Sequence, residues 1–241
     1  MSESLVCLDI CHGTNNRAKG VYDPGAVANG LQEHVIGAGM VTRLVADIRA
    51  AGRFKVMRTE GDVNARDDRA RAAGATVFFS LHCNAGSTSA SGVEAWMDGH
   101  GPKATRFAKD ATAGISKTLG IPNRGIKHSE HLAVLHANSE DALLELFFVT
   151  SKGDTARYLA HTDDVELVLY NALCSALGLG TVASLPRKKL VPAATPHDEP
   201  AYDEIRIHAS AIDARRYKAF AAAHGDFCKV IETTKDSWKK W

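Results

Sequence analysis

Short apolar runs, separated by stretches of helical periodicity, constrain this chain more than any other feature. Leu5–Ile10, residues 54–57, residues 77–81, Val93–Met97, residues 132–135 and residues 142–149 are each a few residues long and rich in Val, Ile, Leu and Phe, and read as strands. The run at 77–81 is apolar at consecutive positions, as in a strand buried on both faces. Between the first two runs, Ile36, Met40, Leu44 and Ile48 recur every four residues, with Val41 and Val45 beside them. That is one face of a helix, which Asn29-Gly30-Leu31-Gln32 would open as a capping box and Ala51-Gly52 would close. Residues 67–73, 104–119 (closed by Gly120) and 155–177 read as further helices. Strands alternating with helices predict an α/β fold: a largely parallel twisted sheet flanked by helices on both faces.

The pattern stops near Gly180. Pro186, Pro192, Pro196 and Pro200, with Arg187-Lys188-Lys189 among them, predict an extended linker over 181–202. Residues 203–241 are expected to be a short C-terminal appendage, thin for an independent core and read as a small helical tail that docks or binds a partner. The expected organisation is therefore a catalytic domain over 1–180, the linker, and the tail.

A formal net charge of +1 gives no global basic excess for nucleic acid or anionic lipid. No apolar run approaches the ~20 residues of a membrane span. The first residues lack the basic and apolar regions of a secretory signal, so synthesis in the cytoplasm is expected. Cys7, Cys11, Cys83, Cys174 and Cys228 are odd in number and irregular in spacing, and read as free thiols.

Loops after parallel strands collect on one rim of a sheet, where the following helices begin. His12 follows the first strand and His82 the third. Glu33 falls in the first turn of the helix between them, three residues before Ile36. Two imidazoles and a carboxylate are a ligand set for catalytic zinc, with a fourth position for water. Glu145 stands within the apolar run 142–149, where a carboxylate is costly unless paired or placed at a site. Facing the metal, it is the candidate general base. The alternative is a structural carboxylate paired with an arginine such as Arg124. Cys11 and Cys83 adjoin proposed ligands, but neighbours in extended backbone point to opposite faces. Asn84, Arg124 and His128 are candidate substrate contacts, His128 because residues 124–131 read as a polar loop. His34, His131 and His136 read as surface or groove residues.

These residues also carry a resemblance. Asp9-Ile10-Cys11-His12-Gly13, Gln32-Glu33-His34, Phe79-Ser80-Leu81-His82-Cys83-Asn84-Ala85 and Leu144-Glu145-Leu146-Phe147-Phe148 occur in the order of the zinc N-acetylmuramoyl-L-alanine amidases of the cell-separation and endolysin type. Gly92-Val93-Glu94 and Asn123-Arg124-Gly125-Ile126-Lys127 fit as well, and the resemblance covers about residues 5 to 178. It implies zinc held by His12, Glu33 and His82, Glu145 as catalytic acid/base, and peptidoglycan as substrate, with a phage or prophage endolysin as the setting. There are departures. Cys11 stands where the family usually has glycine, Thr14 follows Gly13, Phe147 replaces a glycine of the last motif, and Ser151 lies near its usual Asn. Rival readings are a zinc peptidase, a muropeptide-recycling amidase and a non-catalytic wall-binding module. No phosphate-binding glycine motif follows a strand.

Overall fold

The computed structural model describes residues 4–135 and 140–185. His136, the stretch from Pro186 through the expected linker, and the tail 203–241 lie outside the described residues. The elements in chain order are β1 (Leu5–Ile10), β2 (Gly13–Thr14), β3 (Tyr22–Asp23), β4 (Val27–Ala28), β5 (Leu31–Gln32), α1 (Glu33–Ala51), β6 (Lys55–Thr59), α2 (Arg66–Ala72), β7 (Val77–Asn84), β8 (Val93–Met97), α3 (Pro102–Leu119), β9 (Asn123–His128), β10 (Asp141–Phe148), α4 (Lys152–Ala160) and α5 (Thr162–Ala176).

Six strands form one sheet in the order β6-β1-β7-β10-β8-β9. The first four are mutually parallel, β8 runs antiparallel to β10, and β9 is parallel to β8. The fold is thus the expected α/β architecture with a largely parallel sheet. The two antiparallel members bring their N-terminal ends to the rim where β1 and β7 end.

Strand periodicity sorts the side chains onto two unequal faces. Val6, Leu8, Ile10, Val77, Phe79, Leu81, Ala95, Ala142 and Leu144 point one way, onto α1 (Ile36, Met40, Leu44, Ile48) and α3 (Phe107, Ala111, Ile115). α5 packs outside these helices. The other face is thinly covered. Cys7, Phe78 and Leu143 meet Ala70 of α2 together with Val134 and Leu135. Further along the same face the period of two continues into polar residues: Asp9, Ser80, His82 and Glu145. That change of chemistry along one face places the site.

Several local expectations need correction. Residues 132–135 form no strand; Val134 and Leu135 are a buried patch laid over the second sheet face. Residues 124–131 are not a loop throughout, because Asn123–His128 is the edge strand β9, whose polar side chains suit an outermost position. The capping box is not formed. α1 starts at Glu33 behind an extended Gln32 with no side-chain cap, and the Asn29 amide instead donates to the Val149 carbonyl at 2.8 Å. Gly52, in a left-handed conformation (φ 62°), ends α1 as expected. The body continues past residue 180. Leu179, Val182 and Leu185 pack against the core, and Asn171 exchanges hydrogen bonds with the Val182 backbone.

Candidate metal centre and groove

β1 ends at Ile10, and the chain turns so sharply that His12 takes a left-handed backbone (φ 55°), unusual for a non-glycine residue. The excursion from Gly13 returns through β3 and β5 to Glu33, the first residue of α1. His82 lies near the end of β7. The three side chains meet. His82 Nδ1 lies 2.7 Å and His12 Nε2 3.1 Å from the same oxygen, Glu33 Oε1. The two rings stand edge to face with centroids 5.2 Å apart. The backbone closes around them: Ala26 N–H donates to Glu33 Oε2 at 2.9 Å and Cys83 N–H to Oε1 at 3.2 Å. A side chain at Gly25 would put a Cβ 2.6 Å from both Glu33 Oε2 and His12 Cδ2, so only glycine permits this approach.

The electrostatics follow from the geometry. Burial alone would raise the pKa of Glu33, but hydrogen bonds and charge from His12 and His82 override it and hold the carboxylate well below its usual range. For His12, burial works against protonation, and the hydrogen bonds to Glu33 and Asp23 more than offset it. Asp23 accepts from His12 Nδ1 at 3.0 Å. Although burial opposes it, Asp23 is drawn down to about 2 by bonds from His12, Gly25 N–H and Asn16.

Cys11 Sγ falls with the ligand atoms of His12, Glu33 and His82 in one group within 4.8 Å. It is closer than strand alternation predicts, because the chain leaves β1 at this residue. Its thiol donates to the Glu33 carbonyl at 3.8 Å and sits under Gly37, where a Cβ would come within 2.7 Å of Sγ. Burial and the nearby carboxylates push the thiol well up, so it is a neutral packing group here.

Glu145 lies beside this cluster, with its Cα register partner His82 on one side and Glu94 on the other. Its Oε2 is buried without a hydrogen-bond partner. Burial, then the negative charges of Glu33 and Glu94, push its carboxyl up to about 8. The pairing with Arg124 considered from the sequence is not made. Arg124 donates to Glu94 instead, alongside Lys127 at 2.7 Å, Asn84 Nδ2 at 2.9 Å and Trp96 Nε1 at 3.1 Å. Arg124 also lies over the Phe148 ring and Lys127 over that of Trp96. Glu94 thus organises a cationic and aromatic wall next to Glu145. Asn84 and Arg124 belong to that wall. His128 stands at the other end of β9, level with Met97, with its ring tilted against that of His100 at a centroid distance of 4.2 Å.

Glu94, Asp23 and Asn16 were not singled out as functional from the sequence. Glu94 carried the same signal as Glu145, an acid inside an apolar strand. Asp23 precedes Pro24-Gly25, an ordinary turn sequence. Its role exists only because β3 pairs with β2 beside His12.

A mostly parallel α/β sheet with two imidazoles, a carboxylate and a buried acid oxygen without a partner at the strand ends defines the class: an α/β protein with a candidate divalent-cation centre. Residues 6–174 match the model of the Amidase_3 family, N-acetylmuramoyl-L-alanine amidase, and the chain belongs to that family. Among relatives, the uncharacterized protein YqiI of Bacillus subtilis is 30% identical over 141 residues, 56% of this chain and 68% of that one. N-acetylmuramoyl-L-alanine amidase LytC of the same organism is 27% identical over 145 residues, 57% of this chain and 29% of LytC. The fold is that of the amidase AmiC2 of Nostoc punctiforme (TM-score 0.62, 21% identity, 73% of this chain and 98% of that one). It is equally that of the amidase from Clostridium difficile 630 (TM-score 0.63, 20% identity, 74% and 98%).

Proposed function

We propose that this protein is a zinc-dependent amidase that hydrolyses the amide joining N-acetylmuramic acid to L-alanine in peptidoglycan. The family membership supports the reaction class. The observation that carries the chemistry is the buried, unpartnered Glu145 Oε2 next to His12, Glu33 and His82. The donor set fits zinc: two neutral-capable imidazoles and one carboxylate, with their ligand atoms already clustered. His12 Nε2, a Glu33 carboxylate oxygen and a His82 ring nitrogen would hold the ion. When bound, zinc supplies Lewis acidity to the scissile carbonyl and to the attacking water.

The remaining work falls to the chain. Glu145 takes the proton of the attacking water at its free oxygen and delivers it to the departing L-alanine nitrogen. Its raised affinity for a proton in the metal-free protein comes first from burial and then from Glu33 and Glu94, and a cation at Glu33 would weaken the Glu33 contribution. Asn84, Arg124 and Lys127, held on Glu94, form the wall beside it and would orient the peptide side of the substrate.

Mass spectrometry of products from purified peptidoglycan tests the reading. Free L-alanine amino termini on intact stem peptides are expected; cleavage between peptide residues would favour a zinc peptidase and refute it. Lytic use, in the manner of an endolysin, is the setting we propose. The purified protein added to heat-killed cells should clear the suspension, and an enzyme confined to soluble wall fragments should not.

A further inference from the structure

The turn that carries His12 is gripped by a buried guanidinium. Arg66, the first residue of α2, is 1% exposed. Its Nη1 donates to Asp9 Oδ2 at 2.9 Å and to the Ile10 carbonyl at 2.7 Å, two residues before His12. Its Nη2 donates to Asn16 Oδ1, four residues after His12. With its oxygen engaged by Arg66, the Asn16 amide must present its NH2 elsewhere, and it donates to Asp23 Oδ2 at 2.6 Å. That oxygen is the one that accepts from His12 Nδ1. An unbroken line of hydrogen bonds therefore runs Asp9, Arg66, Asn16, Asp23, His12. Ser80 and Thr59 donate to Asp9 at 2.6 and 3.0 Å and fix its far end.

We propose that Arg66 is a positioning residue for His12: it ties both feet of the turn together and, through Asn16 and Asp23, sets which ring nitrogen faces Glu33. The inference rests on the metal reading above. A left-handed non-glycine residue is costly and persists only where its surroundings over-determine it. Here they do, since the backbone before the turn and the side chain after it end on one rigid fork. A carboxylate receiving Nδ1–H leaves Nε2 as the lone-pair nitrogen that a cation needs. Asp9 balances the buried positive charge. Lysine would keep that charge but cannot reach three acceptors in one plane.

The test uses the full chain and three readouts: zinc affinity by competition with a chromophoric chelator, the visible spectrum of the cobalt(II)-loaded protein, and thermal unfolding of the metal-free protein. Asp23→Asn should lower zinc affinity ~10–100-fold and shift the cobalt spectrum, as loss of an outer partner of a metal-bound histidine does. Asn16→Ala and Arg66→Lys should move both in the same direction, and Asp23→Glu should restore part of the loss. If Arg66→Lys fails to fold, Asn16→Ala and Asp23→Asn decide the matter. A wild-type protein that binds zinc, with variants that bind it equally well, overturns this proposal alone. Variants less stable without metal but unchanged in zinc affinity and cobalt spectrum also overturn it, because the line would then be purely structural. A wild-type protein that binds no zinc overturns the metal reading beneath it.

Discussion

Replacing Glu145 by glutamine should stabilise the metal-free protein, and increasingly so as pH rises. In the folded chain the carboxyl titrates at about 8 rather than at its ordinary 4.5, because it is buried and faces Glu33 and Glu94. A carboxyl with a raised folded value costs nothing below about 4.5, where it is protonated in both states. Between about 4.5 and about 8 the unfolded chain releases the proton and the folded one keeps it. Native stability therefore falls by ~1.4 kcal/mol for each pH unit. The loss saturates above about 8 at an upper bound of ~5 kcal/mol. Glutamine removes the titration and keeps the shape. Chelator-treated wild type and Glu145→Gln should be unfolded in urea at pH 5 and pH 8. The variant's advantage should stay below ~0.5 kcal/mol at pH 5 and should exceed ~2 kcal/mol at pH 8, taking less than half of the bound to allow for relaxation. Added zinc should shrink it, since a cation at Glu33 favours the ionised carboxylate. A stability difference independent of pH would show that Glu145 ionises normally in the folded state and would refute the argument.

Other outcomes follow from the same geometry. Elemental analysis should find one zinc per chain, and His82→Ala should lose metal and activity together, because two remaining protein ligands rarely suffice. Glu145→Gln should keep its zinc while turnover of a soluble muropeptide falls ~10²–10⁴-fold, measured on one preparation. Glu94→Gln should release Arg124 and Lys127 from their common acceptor, raising KM more than it lowers kcat; an unchanged KM would remove these cations from the groove. A chain ending at Leu185 should unfold at a temperature close to that of the full chain, whereas one ending at residue 180 should unfold earlier, having lost the Val182 bonds and the Leu185 contact.

The frame and the cluster were legible for one reason: the rim rule for parallel strands needs only the order of the elements. Expecting His12 and His82 at the ends of parallel strands, and Glu33 at the opening of the helix between them, was enough to bring them together, although His82 lies inside β7 rather than after it. Glu145 was legible because burial makes an acid conspicuous. Side-chain partnerships across loops were not. Arg66 looks like one more charge in an alanine-rich helix, and nothing local says that its guanidinium turns inward to Asp9. Arg124 could be foreseen near an acid, but which acid depended on β8 lying antiparallel between β10 and β9. Polar residues in β9 and apolar ones in 132–135 misled for the same reason: edge position and loop burial are properties of the assembled sheet rather than of local composition.

The three proposed ligands do not rest on equal footings. His82 belongs to a strand flanked by two others, and Glu33 to a nineteen-residue helix anchored along the core. His12 alone rides on a turn, at the mouth of an excursion that carries three exposed apolar side chains, Val21, Tyr22 and Val27. The steadiness of that turn is borrowed from Arg66, which holds the backbone before it and Asn16 after it. A variant that loosens this grip should therefore shorten the residence time of a bound ion while leaving His82 and Glu33 in place on the frame.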